Sequence, residues 1–412
     1  MTKTRTALII GGGIAGPVTA MALRRAGIEA SVYEAYPPES DGIGGGLGLA
    51  SNGLAALEIV GAADAVRAIA DPIPDTIMSI DGRKAGTAAT LRGEEPLQMV
   101  TRGELHRVLH DAAVAAGVEF AYSKRLIGAD EHDGGITARF ADGTGATADI
   151  LIGADGVRST VRTLIDPKAP GPDWTGMLGF GAYDLDPATV PEVDIEPGTV
   201  AFAFGKRAYY LYWRSPDGRI SWGSNLVWKE YLTITQARAV PAQRWLEILR
   251  ETYAGDTPGE QLVRATTPEM LEPTGALHIM PPVPHWYRGR MVLVGDAVHA
   301  PSNSSGQGAS LAIESGIQLA RTLRDLPDHT SAFAAYEQLR RGRVEKIAKA
   351  AARINHAKAP GPVAKVFMRA VMPIFLSERF AAKTAGPALR HRIAFDEPVS
   401  GAAGQGALAG RN

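Results

Sequence analysis

The sequence predicts an α/β fold: a discontinuous parallel-sheet domain interrupted by an α+β domain built on an antiparallel sheet, with C-terminal helices behind them. Three observations point there. The apolar runs Ala7-Leu8-Ile9-Ile10 and Met291-Val292-Leu293-Val294 end in glycine, as strands buried on both faces of a parallel sheet do. Gly11-Gly12-Gly13-Ile14-Ala15-Gly16 follows the first run and opens a helical pattern. Between roughly Pro170 and Pro284 the chain turns to aromatic, strand-like runs broken by turn signals.

Taken in order, the first strand is followed by a helix over about Ala15 to Ala26, stopped near Gly27. Ala30 to Glu34 reads as the second parallel strand, which completes a βαβ opening. Leu105, Val108, Leu109 and Ala112 recur three and four apart, so Arg102 to Ala116 reads as an amphipathic helix. Val200 to Phe204, Tyr209 to Trp213 and Ile220 to Asn225 read as strands, the last two joined by the turn Ser215-Pro216-Asp217-Gly218. Ser310 to Leu323 is helical again, and Tyr336 to about Phe380 is helical with a break near Pro360 to Pro362. The expected first domain is assembled from residues 1–70, 101–169 and 285–335, and the second from 71–100 and 170–284. C-terminal helices occupy 336–400, and the Gly/Ala-rich stretch 401–412 reads as a disordered tail.

Composition narrows the function. The 412 residues are 45% hydrophobic and 21% charged, which suits a globular chain of two to three domains and excludes a disordered or fibrous one. The 43 basic residues nearly cancel the 44 acidic ones, so no overall field favours nucleic acid or an anionic membrane. Without cysteine, the chain has no disulfides, thiolate-held metals or cysteine nucleophiles, and no metal site is expected. Lys3 and Arg5 before an apolar stretch mimic a secretion signal, but Gly11 to Gly13 break it, and no apolar run reaches the length of a membrane span. The cytoplasm is the default address.

The glycine run is a G-x-G-x-x-G in the setting that gives the pattern its meaning, between a strand and a helix. Gly11 permits the tight turn, Gly13 lets a pyrophosphate approach the backbone, and Gly16 lets helix and strand pack closely. The helix N-terminus, starting near Ala15, favours phosphate charge, and Glu34 at the end of the next strand suits ribose hydroxyls. The first domain is therefore Rossmann-like. Gly153-Ala154-Asp155-Gly156-Val157-Arg158 and Gly295-Asp296-Ala297-Val298-His299 also lie past apolar runs, where ligands bind in open α/β sheets. Three such segments imply one long ligand.

With these motifs in this order, the chain resembles the FAD-dependent monooxygenases related to para-hydroxybenzoate hydroxylase, the class A flavoprotein hydroxylases. The resemblance covers about residues 5 to 350 and adds a T-R-x-x-L at Thr101 to Leu105. It implies that Gly11, Gly13, Ala15 and Gly16 hold the FAD pyrophosphate, that Glu34 binds the adenosine ribose, and that Arg102 contacts the phosphate-ribityl region. It implies that Asp296 bonds a ribityl hydroxyl and that Asp155 and Gly156 serve both FAD and a transient NADPH or NADH. Gly306-Gln307-Gly308 would start a helix beside the flavin pyrimidine ring, where its N–H groups favour negative charge.

The implied activity is that of an oxidoreductase, placed in secondary metabolism. A reduced flavin takes up O2, and one oxygen passes by way of a C4a-hydroperoxide into an organic substrate, with an aromatic or polyketide-type compound the first expectation. Baeyer-Villiger oxidation, epoxidation and antibiotic inactivation use the same chemistry. A non-catalytic redox sensor or scaffold is the reading from another class. The halogenase signature W-x-W-x-I-P is absent.

The chain departs from the pattern at Asn303, Ser310 and Ser315, where many relatives carry proline, asparagine and aspartate. In the second domain Phe202, Tyr212, Trp222 and Asn225 are substrate-pocket candidates, but alternate residues of a strand face opposite ways. No catalytic residue is assigned. His106 and His110 lie one helical turn apart without a third ligand and read as surface histidines; His299 reads as structural. The apolar segment Val363 to Leu376 is expected to pack against the first, flavin-binding domain rather than a membrane.

Overall fold

Thr6–Ile10 is apolar on both faces, and it takes the interior of a six-stranded sheet. The order across that sheet is Tyr287–Arg288, Met291–Leu293, Ile150–Gly153, Thr6–Ile10, Glu29–Tyr33, Glu119–Ala121. All its pairings are parallel except the short edge strand Tyr287–Arg288. The computed structural model describes residues 3–38, 45–356 and 362–399. The tail expected at 401–412 and the centre of the break expected near Pro360 lie outside the described residues.

The helices Ala15–Arg25 and Gly308–Asp325 pack against each other beside this sheet. Gly316 makes the close approach possible, because a Cβ there would collide with Thr19. The helix expected from Tyr336 starts earlier, at His329, since Asp328 accepts from the Ser331 N–H at 2.9 Å and caps it.

A second, seven-stranded sheet runs Glu272–Ile279, Asp173–Leu185, Ile220–Val227, Tyr209–Arg214, Thr199–Phe204, Asp75–Ile80, Arg83–Ala89. It is antiparallel, as expected, apart from one junction: Thr199–Phe204 runs parallel to Asp75–Ile80, a strand that entered the sheet more than a hundred residues earlier. No hairpin can make that join.

Strand register sorts the side chains of this sheet unambiguously. On one face, Ala201, Tyr210, Tyr212, Trp222 and Leu226 pack against Trp245, Leu249, Tyr253 and Leu262 of two helices, Ala242–Tyr253 and Gly259–Ala265. The opposite face has three rows. Val200 and Trp213 lie under a small sheet of Gly46–Leu49, Leu97–Thr101 and Asp71–Ile73, and Ile80 and Phe204 lie under Met368 and Met372 of the helix Pro362–Phe375, which thus packs on this second sheet and not on the first domain as expected, because the Ile80–Phe204 row offers it an apolar strip. Between them runs the row Met78, Phe202, Leu211, Gly223, whose members sit directly opposite one another across successive strands and are only half-buried.

Candidate functional site

Ile10, Gly153 and Leu293 are register neighbours, so the loops carrying Gly11, Asp155 and Asp296 leave the six-stranded sheet from the same end. Gly11 holds φ +104°, a conformation L side chains rarely adopt, and a Cβ on it would run into the Ala154 carbonyl. A Cβ on Gly16 would strike the Gly11 carbonyl. Gly13 differs, because a Cβ there meets nothing within 4 Å. The helix begun by Ala15 has no side-chain cap, so its first N–H groups are free to meet an anion. Gly12 N–H donates to Glu34 Oε2 at 2.7 Å and Tyr36 N–H to Oε1 at 3.0 Å, which fixes the carboxylate against the loop. His106, expected on the surface, instead places Nε2 2.9 Å from the Gly12 carbonyl and is half-buried.

Asp155 is used locally. Its carboxylate accepts from Ser159 Oγ and from the N–H groups of Thr160 (2.7 Å) and Val161 (3.1 Å), so together with the N-cap Ser159 it satisfies the first turn of the helix Thr160–Ile165. Gly156, with φ +74°, lets the chain turn between them. Arg162 is buried and donates to the Val157 carbonyl (2.7 Å) and the Ala297 carbonyl (2.9 Å), tying this segment to the turn that carries Asp296.

Asp296 behaves differently. Among the described residues its carboxylate has no hydrogen-bond donor, burial pushes its pKa up, and nearby Arg102 pulls it back. Gly295, just before it, has φ +59° and no room for a Cβ against Ala15, which brings the two loops into contact. Arg102 itself is exposed and starts a helix capped by Thr101; its N–H donates to the Gly45 carbonyl at 3.1 Å.

Gly306 and Gly308 bracket Gln307 at the start of the Gly308–Asp325 helix, and a Cβ on either glycine meets nothing within 4 Å. That helix also lacks a side-chain cap. Just upstream, Asn303 Nδ2 donates to Asn225 Oδ1 at 3.2 Å, which joins this loop to the seven-stranded sheet in the row beside Phe202. Phe202 and Asn225 thus face the open side. Tyr212 and Trp222 lie in the packing behind the sheet, where Trp222 Nε1 donates to Thr266 Oγ1 at 3.0 Å.

The other two departures also have partners. Ser310 is buried and its Oγ accepts from the Ala50 N–H at 3.3 Å; a larger group would meet Gly53. Ser315 Oγ lies 2.8 Å from His299 Nε2 and accepts from Arg340 Nε at 3.3 Å. No motif in the sequence singles out Glu314, which lies on the same helix, or Asn52, Arg340 and Arg343, which bond to it. An acid between Ile313 and Ile317 on a helix otherwise rich in apolar residues was the available signal.

Comparison with known proteins matches the family described as FAD binding domain over residues 3–351. The chain is 30% identical to the 6-hydroxynicotinate 3-monooxygenase of Bordetella bronchiseptica, across 82% of this chain and 88% of that protein. It is 31% identical to the 3-amino-4-hydroxybenzoate 2-monooxygenase PtnB3 of Streptomyces platensis, across 82% and 85%. Among solved structures, Klebsiella pneumoniae HpxO complexed with FAD and uric acid superposes with a TM-score of 0.78 at 24% identity, covering 93% of this chain and 95% of that one.

Proposed function

The chain belongs to the FAD binding domain family, among FAD-dependent monooxygenases, and from that premise we propose that it hydroxylates a small aromatic or heteroaromatic compound lying on the open row Met78, Phe202, Leu211, Gly223. The observation that carries this reading is the placement of that row. It is the half-buried middle of the sheet face, where Phe202 and Leu211 touch the small-sheet cluster on one side and Met78 the helix cluster on the other, and the Asn225–Asn303 hydrogen bond joins the neighbouring row to the loop entering Gly306-Gln307-Gly308.

The residues present fit the cofactor. Gly13 opens onto free space at an uncapped helix N-terminus, suited to a pyrophosphate, and Asp296 has a carboxylate waiting for a donor such as a ribityl hydroxyl. Glu34, already oriented by two backbone N–H groups, keeps lone pairs for ribose hydroxyls. Ala15 supports the loop, Arg102 adds positive charge beside Asp296, and the free N–H groups after Gln307 suit the electron-rich ring. Asp155 and Gly156 shape the segment past which NADPH or NADH would dock. When bound, FAD supplies hydride acceptance from the nicotinamide and the activation of O2 for transfer of one oxygen atom. The protein's part is to hold the ring of the substrate on an apolar surface, orient it through Asn225 and Asn303, and keep water away with the small sheet and the Pro362–Phe375 helix.

The visible spectrum of the purified protein, recorded anaerobically on NADPH or NADH addition and again after air, tests this. Bleaching and recovery, accelerated by an aromatic compound that then carries one atom of labelled oxygen, is the expected result. Flavin that is bound but never bleached, with any such compound present, would overturn it.

A further inference from the structure

One group of charges lies deeper than any other among the described residues. Glu314 and Arg340 have side chains 1% exposed, with Arg340 Nη1 2.6 Å from Glu314 Oε2. Arg343 adds a second pair of contacts to the same carboxylate, at 2.7 and 2.9 Å. Asn52 Nδ2 donates both to Glu314 Oε1 (2.7 Å) and to Gln307 Oε1 (3.0 Å), so the cluster connects through one side chain to the first turn of the Gly308–Asp325 helix. Glu314 lies about 10 Å along that helix from Gln307.

The charges do not cancel. Two guanidinium groups face one carboxylate, and the two guanidinium charges hold Glu314 down to about 2 despite its burial. The histidines nearby add nothing at neutral pH: burial pushes His391 down to about 4 and His299 down to about 3. One net positive charge is therefore enclosed behind the helix, where screening by solvent is weak. A buried ion group this costly is a poor device for stability alone, since apolar residues of similar volume commonly do as well.

We propose that the Glu314–Arg340–Arg343 cluster raises the reduction potential of the FAD facing the Gln307 end of this helix, its surplus positive charge favouring the more negative reduced form. The proposal rests on the placement of FAD given above. It treats Arg343 and Glu314 as tuning groups that act at a distance, with Asn52 keeping Gln307 in line.

The test measures the ratio of reduced to oxidised flavin at equilibrium with a reference dye, in the FAD-loaded protein. Arg343→Gln removes the surplus charge and lowers the ratio by roughly threefold or more, as expected for a unit charge at this range in partly screened surroundings. Arg343→Lys keeps the charge while losing the fork-shaped contacts to Glu314 and to the Pro387 and Ala388 carbonyls, and it restores the ratio. Glu314→Gln adds charge and moves the ratio upward, so it decides the matter if Arg343→Gln does not fold. A structural brace would shift both Arg343 variants alike, and that result, or no shift in either, overturns the inference. Wild-type protein that takes up no FAD overturns the placement of FAD instead.

Discussion

At the residue scale, two glycines of one motif have opposite duties, and substitution separates them. Gly16→Ala drives a methyl group into the Gly11 carbonyl, so it should destabilise the apoprotein by about 1–3 kcal/mol, read by urea unfolding. Gly13→Ala meets nothing in the protein and should leave that unfolding curve in place while weakening FAD binding by about tenfold or more, read by fluorescence titration of apoprotein. Equal effects of both would refute the cradle. The pattern Gly11, Gly13, Gly16 and Glu34 was legible because strand, helix and acid come in fixed order along a short stretch. The local duty of Asp155 was not, since its donors are backbone N–H groups whose direction depends on where the next helix starts. Nor was the bond between Asn225 and Asn303, which spans 78 residues and exists only once two domains meet.

At the element scale, the aromatic strands were recognisable but the face each side chain takes was not. Alternation splits Tyr209 to Trp213 into two sets; which set meets helices depends on what later segments cover. Trp222→Ala should cost about 3–5 kcal/mol in urea unfolding, because it empties a packed position and removes the donor to Thr266 Oγ1. Phe202→Ala, on the open row, should leave stability far less affected and raise KM for the hydroxylated compound. A raised KM with Trp222→Ala but not Phe202→Ala would place the substrate on the wrong side. The parallel junction between Thr199–Phe204 and Asp75–Ile80 also escaped the sequence, since local turn chemistry says nothing about a strand contributed from so far upstream.

At the scale of the whole molecule, one buried and one half-buried histidine set the response to acid. His299 and His391 ordinarily titrate near 6.5 but are held to about 3 and about 4, so below 6.5 the unfolded chain takes up protons the folded chain refuses. Stability should be complete above about 6.5 and fall as pH drops toward these lower values, with Glu314 adding a further loss between 4.5 and about 2. His391→Gln should flatten the fall between 6.5 and 4 by about one proton, measured as the pH slope of the unfolding free energy; an unchanged slope would refute the assignment. No helix among the described residues is long and apolar enough to cross a membrane. The way the two large sheets share the chain has a consequence for synthesis. The six-stranded sheet gains its last strand only at Met291–Leu293, and the seven-stranded sheet closes only with Glu272–Ile279. A ribosome must therefore deliver about half of the polypeptide before Thr199–Phe204 can cover the open edge of Asp75–Ile80, and about two thirds before either sheet is whole, a stretch of time in which the nascent chain depends on not meeting another like itself.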